Sequence, residues 1–196
     1  MKRALAGVLV AAIVGLSAAV AMAQVPFFQV YFDDASNGSY SETQADCGEA
    51  GTSVDLYVVA LNFNALMAAV EYRIAFPPGL LFQSDNLAPP DQGGMVSYGD
   101  SNNGLTVAWE LPRNGFTPLL ISTVSADFTG FCDCYTGGPQ PIVVGPYPYP
   151  QPKNNPAGVR WPDYVELPAV GMTSLLCPGP VSTTESTWGG IKALYR

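Results

Sequence analysis

From residue 25 onward the chain alternates short apolar runs with turn-forming stretches, and the repeat within a run is two residues rather than 3.6. The clearest case is MAAVEYRIAF, where Val70, Tyr72, Ile74 and Phe76 alternate with Glu71, Arg73 and Ala75. That pattern predicts a strand with one face buried. VPFFQVYF (25–32) and TSVDLYVVALNF (52–63) predict strands before it, and FPPGLLF predicts a short one behind a double proline. GMVSYGDSNNGLTVAWEL reads as a hairpin turning near Asn103-Gly104. PLLISTVSADF is a long strand and PIVV a short one, and DYVELPAVGMTSLLC is one more with a kink at Pro168. Val, Tyr, Phe and Thr, the residues that suit a pleated surface, dominate these runs. Helical periodicity is absent until the last turns. Eight or nine strands at this spacing predict an all-β fold, an antiparallel β-sandwich of jelly-roll type.

Parity within the hairpin sorts its side chains. Val107, Trp109 and Leu111 share one face of their strand, and Ala108 and Glu110 the other. Trp109 is thereby predicted to be core, and Glu110 to face solvent. Glu71 falls opposite the Val70/Tyr72/Ile74 set by the same rule.

The first residues do not fit this scheme. Met1, Lys2 and Arg3 precede an uncharged Ala/Val/Leu run that ends in small residues at Ala21 and Ala23. This is the layout of a secretory signal peptide over residues 1–23, cleaved before Gln24. The competing reading is an uncleaved membrane anchor over Ala4–Ala23, which is long enough to span a bilayer. The Ala-rich composition and the small residues at the cut favour cleavage, which leaves no membrane span. A β-sandwich domain is then expected over 24–181, with a tail over 182–196.

Charge narrows the partners. The full chain carries −8, and losing Lys2 and Arg3 takes it to −10, with six basic residues scattered through the rest. Neutralising phosphates needs clustered Lys and Arg, so nucleic acid is excluded as a partner. With 48% hydrophobic residues the chain is also too apolar to be disordered.

Export changes the reading of Cys47, Cys132, Cys134 and Cys177. A zinc site would show two Cys-x-x-Cys pairs or histidine partners, whereas this chain has no histidine and a single Cys-x-Cys. The Cys-x-x-Cys redox motif is absent as well. In an oxidising compartment four such cysteines predict two structural disulfides. A direct Cys132–Cys134 bridge would close a strained small ring, so each is expected to pair with Cys47 or Cys177, in either order. Such a bridge would also tie down the long polar loop 33–51.

The segments GTSVDLYVVALNFNALMAAVEYRIAFPPGLLF, NGLTVAWELP and PLLISTVSADF together resemble the cohesin and cellulose-binding-module type of secreted bacterial β-sandwich. A glycine-led turn opens a strand, a strand with an aromatic runs into a Pro/Gly turn, and a hairpin and a long small-residue strand follow. The likeness covers residues 51–128. It implies a non-catalytic, exported binding module. Cohesins engage dockerin modules through one sheet face, and the related modules bind polysaccharide through aromatics.

Without histidine, Ser-His and Cys-His nucleophile pairs are excluded. Carboxylates remain, and Glu71 with Glu110 would be the pair of a jelly-roll glycosidase, a remote alternative. No cofactor is expected. Asp33-Asp34, Asp85-Asn86 and Asp100–Asn103 leave room for a structural calcium, although Asp, Asn and Gly are also what turns require. Asn37-Gly38-Ser39 fits a glycosylation sequon.

The proline-rich stretch 137–164 displays Tyr147, Tyr149 and Trp161. Prolines hold such a loop extended, and rigid aromatic faces stack on sugar rings. The competing expectation is that these rings pack down on the sandwich. At the C-terminus, Trp188, Ile191, Leu194 and Tyr195 recur at helical spacing. The run Trp-Gly-x-x-Lys-x-Leu-Tyr resembles tails of other secreted bacterial proteins, which implies an export, sorting or docking tag. The sequence therefore points to a secreted adhesion or carbohydrate-binding module with polysaccharide as its ligand. The alternative is a scaffold that engages another exported protein through a sheet face or the tail.

Overall fold

The computed structural model describes residues 25–35, 39–132, 134, 138–148 and 154–177. Thirteen strands are formed among them: β1 (Phe27–Tyr31), β2 (Gln44–Ala45), β3 (Ser53–Leu61), β4 (Leu66–Ala75), β5 (Leu80–Leu87), β6 (Met95–Asp100), β7 (Gly104–Asn114), β8 (Leu119–Phe128), β9 (Gln140–Gly145), β10 (Ala157–Arg160), β11 (Glu166–Pro168), β12 (Val170–Gly171) and β13 (Thr173–Leu176). The smaller sheet runs β12-β1-β3-β8-β5. The larger runs β11-β10-β4-β9-β13-β2, with β7 paired to β4 and β6 to β7. No helix of the described residues is long and apolar enough to cross a membrane.

Strand β4 is the hub of the larger sheet. It pairs with β7 over Leu66–Tyr72, with β10 over Met67–Glu71 and with β9 over Arg73–Ala75. Its period-two pattern has the expected result: Val70, Tyr72 and Ile74 are fully buried, and Arg73 and Ala75 are exposed. Phe28, Val30, Leu56, Val58, Ile121 and Val124 of the smaller sheet meet Met67, Val70, Leu105, Val107 and Ile142 of the larger one. Burying so many branched and aromatic side chains, at about 1.5–3 kcal/mol each, is what holds the layers together. A buried polar tie adds direction. Gln29 of β1 donates to Ser174 Oγ of β13 at 2.7 Å, and Ser174 donates to the Val30 carbonyl at 2.6 Å.

The sandwich matches the expectation, and its details differ in three ways. Thirteen strands replace eight or nine, because β2, β11 and β12 are two or three residues long and β10, inside the proline-rich stretch, is four, all too short to show an alternation. The stretch 163–177, expected as one kinked strand, is divided three ways: β11 pairs with β10, β12 with β1 of the opposite sheet, and β13 with β9. Finally, the sheets are not wholly antiparallel. The β1–β12 and β2–β13 contacts are parallel, each over two residue pairs.

Two disulfides close one corner, Cys47–Cys132 and Cys134–Cys177, with Cα separations of 5.6 and 4.9 Å. Each cysteine of the Cys-x-Cys pair takes a distant partner, as ring strain requires. The long loop is held as well by Asp33. Its carboxylate accepts the Ser41 and Glu42 amides and the Ser41 hydroxyl at 2.9–3.0 Å.

Candidate functional site

The outer face of the larger sheet is built by register. Val96 of β6 pairs with Ala108 of β7, Ala108 with Ala69 of β4, and Ala69 with Val159 of β10. These four side chains therefore lie in one row across four strands. The neighbouring row runs Tyr98, Thr106, Glu71. Val96 is 74% exposed and Tyr98 70%, while Ala69 and Val159 are half-buried. The result is a flat strip of small and apolar groups, with Tyr98 rising at one side.

Three devices hold the β6–β7 hairpin that carries this strip. At its tip, Asp100 accepts the Asn103 amide at 2.7 Å and the Asn103 side chain at 3.0 Å. Gly104 follows at φ +126°, and a side chain there would collide with Pro148 and the Tyr147 ring. At its far end, the Glu110 carboxylate accepts the Gly94 amide at 2.8 Å. Between the sheets, Tyr72 Oη lies 2.8 Å from Ser122 Oγ and 3.2 Å from Ser101 Oγ. Asp85 accepts both the hydroxyl and the amide of Ser101 at 2.6 Å. Burial raises the Asp85 carboxyl above its ordinary value, with Asp100 adding to the shift and the Ser101 bonds opposing it. Burial likewise pushes the Tyr72 phenol up. This clasp joins β4 and the hairpin tip to β5 and β8, so the hairpin cannot swing away from the smaller sheet without exposing an orphaned hydroxyl.

Beyond Trp109 the strand parity breaks. Met67 pairs with Arg113 and Ala69 with Ala108, so residues 109–112 bulge outward opposite Ala68 alone. Trp109 is buried as expected. Leu111, expected on the same face, is 46% exposed because the bulge rotates it out. The Arg113 guanidinium lies 5.8 Å from the centre of the Trp109 ring, and the buried Trp109 Nε1 hydrogen has no acceptor among the described residues.

The aromatics expected as a sugar platform have different surroundings where they are described. Tyr147 is buried against Gly104, 8% exposed, which corrects the reading of it as a displayed ring. A glycine at the hairpin tip leaves a hollow that this ring fills. Tyr149 lies outside the described residues. Trp161 is half-buried and meets Tyr164 edge-on, with ring centroids 5.4 Å apart, and Tyr164 is 61% exposed. An Arg160–Asp163 ion pair braces that turn.

Glu71 and Glu110 do share the outer face, and Glu110 is engaged in holding the Gly94 turn. The acidic loops are occupied in the same sense: Asp33, Asp85 and Asp100 each accept hydrogen bonds from neighbouring amides or hydroxyls. Residues 1–23, Asn37 of the sequon, and Trp188, Ile191, Leu194 and Tyr195 of the tail lie outside the described residues. Sequence reasoning overlooked Val96 and Tyr98. The hairpin turns through Ser101–Asn103 with Asp100 opposite Gly104, which sets Val96 against Ala108, whereas a two-residue Asn103-Gly104 turn would have set it against Leu111.

No protein-family model and no curated protein matches this chain by sequence. Solved structures do match by fold. The cohesin module of a family 33 glycoside hydrolase from Clostridium perfringens aligns with a TM-score of 0.51 at 6% identity, over 78% of this chain and 95% of that one. The structure of a CaDoc0917–CaCohA2 complex aligns with a TM-score of 0.51 at 7% identity, over 77% and 97%. A type I cohesin–dockerin complex from Clostridium thermocellum gives 0.48 at 8% identity, over 78% and 92%. At such identities the likeness is one of fold. This chain has a cohesin-like β-sandwich fold.

Proposed function

We propose that the chain is a secreted, non-enzymatic scaffold module that docks another exported protein on the outer face of its larger sheet. The observation that carries this reading is the uncharged row Val96, Ala108, Ala69 and Val159, with Tyr98 alongside. An aromatic beside small residues on a rigid sheet suits a protein interface, where Tyr is a preferred anchor. The cohesin-like fold supports it, since one of the similar structures is itself a two-protein complex. Paired disulfides fit an oxidising, exported setting.

The test is capture of exported proteins by the immobilised chain, together with a panel of dockerin modules, beside its Ala108→Arg variant. Retention by the parent and loss in the variant supports the face. Retention by both moves docking elsewhere, and deleting residues 188–196 then asks whether the tail carries it.

A second reading, carbohydrate binding, rests on the Trp161–Tyr164 corner, where one ring is exposed and the other half so. Insoluble polysaccharides that retain the parent and release Trp161→Ala would favour it.

A further inference from the structure

Four sulfurs that are far apart in sequence converge at one corner of the sandwich. Cys47 Sγ and Cys177 Sγ, which are not bonded to each other, lie 3.0 Å apart. The sulfurs of Cys47, Cys134 and Cys177 all lie within 4.8 Å of one another, and Cys132 is bonded to Cys47. A tetrahedral zinc ion with Zn–S distances of about 2.3 Å sets its sulfurs roughly 3.8 Å apart. We propose that this corner has a second state: once reduced, Cys47, Cys132, Cys134 and Cys177 bind one Zn²⁺ ion as a tetrathiolate site. The proposal is independent of the docking face.

The backbone around the corner is positioned by more than its S–S bonds. The parallel β2–β13 ladder pairs Leu176 with Ala45, and the Cys177 amide donates to the Ala45 carbonyl at 2.9 Å. That ladder alone sets Cys47 and Cys177 side by side. On the other flank, the Cys132 amide donates to Thr129 O at 3.1 Å. The buried Gln140 side chain donates to Phe131 O at 2.8 Å and accepts the Gly79 amide at 2.9 Å. Gly79 is packed so closely that a side chain there would meet Cys132 Sγ at 3.0 Å. Opening both bridges leaves the sulfurs of Cys47, Cys134 and Cys177 close together and that of Cys132 beside Cys47, so rotation of the Cys132 side chain completes the tetrahedral set. Cys177 is 1% exposed and the other three are half-buried, so water has limited access to the cation.

The chemistry balances in two stages. Each disulfide takes up two electrons from a dithiol or a phosphine, with two protons from the dithiol or, for the phosphine, from water, and becomes two thiols. The phosphine leaves as its oxide, with oxygen drawn from water. The four thiols then release four protons on binding Zn²⁺, giving a site of net charge −2. Molecular oxygen reverses the change by taking four electrons from the thiolates and four protons from solvent to give two waters, which ejects Zn²⁺ and restores the two bridges. The site is invisible to motif reading because its ligands are spread over Cys47, a Cys-x-Cys and Cys177, with no Cys-x-x-Cys pair.

Cobalt is the informative probe, because a tetrahedral thiolate site gives it intense visible ligand-field bands and sulfur-to-metal charge-transfer bands. The full chain, reduced with a phosphine under anaerobic conditions, is titrated with Co²⁺ and then with Zn²⁺. The expected result is one equivalent of Co²⁺ with the tetrathiolate spectrum, displaced by Zn²⁺, and no such spectrum in the oxidised chain. Cys134→Ser and Cys177→Ser should each alter the bands and weaken binding by roughly tenfold or more. An octahedral cobalt spectrum, or binding indifferent to either substitution, overturns the proposal. If reduction alone unfolds the chain, recovery of its strand circular dichroism on adding Zn²⁺ supports the site, and failure to recover overturns it.

Discussion

The two outer faces of this sandwich are made by the same kind of strand and have opposite surfaces. On the smaller sheet, Ser53 donates to Asp127 at 2.6 Å and Ser125 to Asp55 at 2.7 Å, directly across β3 and β8. Its aromatics are covered: Tyr40 of the long loop lies over Tyr31 and Tyr57, with centroids 5.4 and 6.4 Å away. On the larger sheet, the equivalent positions hold Val96, Ala108 and Ala69, and Tyr98 has no ring above it among the described residues. One face pairs its serines with aspartates and roofs its tyrosines, with the side chain of Leu81 exposed beside Asp127. The other leaves apolar surface in water, a cost of about 25 cal/mol per Å² that only a partner recovers. Exposure of an aromatic therefore means little by itself; its neighbours across the sheet decide whether it is packing or bait.

The comparison can be broken most directly by swapping charge onto each face. Ala108→Arg should weaken capture of a docked protein by roughly thirtyfold or more, the scale of about 2 kcal/mol for a central contact. Ser125→Arg on the opposite face should leave capture unchanged. Equal losses would mean that the two faces are not distinct in function.

Next in size is the clasp that positions the hairpin. Tyr72→Phe removes one hydroxyl and leaves Ser122 and Ser101 short of a partner in a buried site. Stability in urea should fall by about 1–3 kcal/mol, with an unchanged denaturant slope. On the smaller sheet, Ser53→Ala should cost under about 0.5 kcal/mol, since its partner remains open to water.

The smallest effects are in pH dependence, and Asp85 of β5 and Asp33 of the long loop should differ in sign. The Asp85 carboxyl is raised by burial, so the folded state holds its proton more tightly than the unfolded chain does. Stability from this group falls as pH rises from the ordinary aspartate value of 3.8 through its folded value. Asp33 is the reverse. Slight desolvation opposes the shift, but the Glu42 and Ser41 amides and the Ser41 hydroxyl hold its carboxyl low. Its contribution is present above 3.8 and is lost as pH falls through its folded value. Unfolding midpoints from pH 3 to 6 should thus gain acid sensitivity in Asp85→Asn and lose it in Asp33→Asn. The same slope in both variants would refute the assignment.

The sandwich was legible wherever a strand is long and one-sided. The alternation through Val70, Tyr72 and Ile74 is a direct consequence of burying one face, and it survives in the fold unchanged. Residues 163–177 were not legible, because two- and three-residue strands that change sheets leave no period to detect. Tyr147 shows a different limit. Whether a proline-braced ring stands out or lies down depends on a hollow at Gly104, more than forty residues away, and no local pattern encodes that. For Leu111 the count was right and the strand was not: a bulge of four residues against one resets parity, and Pro112 inside it was the local sign that the ladder breaks there. The face was hidden by the turn, because three residues, Ser101–Asn103, set Val96 against Ala108 where a two-residue Asn103-Gly104 turn would have set it against Leu111.

The position of the two bridges also determines how the molecule would respond to tension. A pull between residue 25 and the end of β13 does not travel along the whole polypeptide. Its covalent path runs from residue 25 to Cys47, crosses to Cys132, passes to Cys134 and crosses again to Cys177. Strands β3 through β8 lie within one closed loop and β9 through β13 within the other, so neither loop can be drawn out while its bridge holds. Only the first segment can extend, and that requires shearing β1 from β3 and β12 and β2 from β13. A protein pulling on the outer face of the larger sheet would therefore load strands that the chain ends cannot unravel, as an anchor under strain requires.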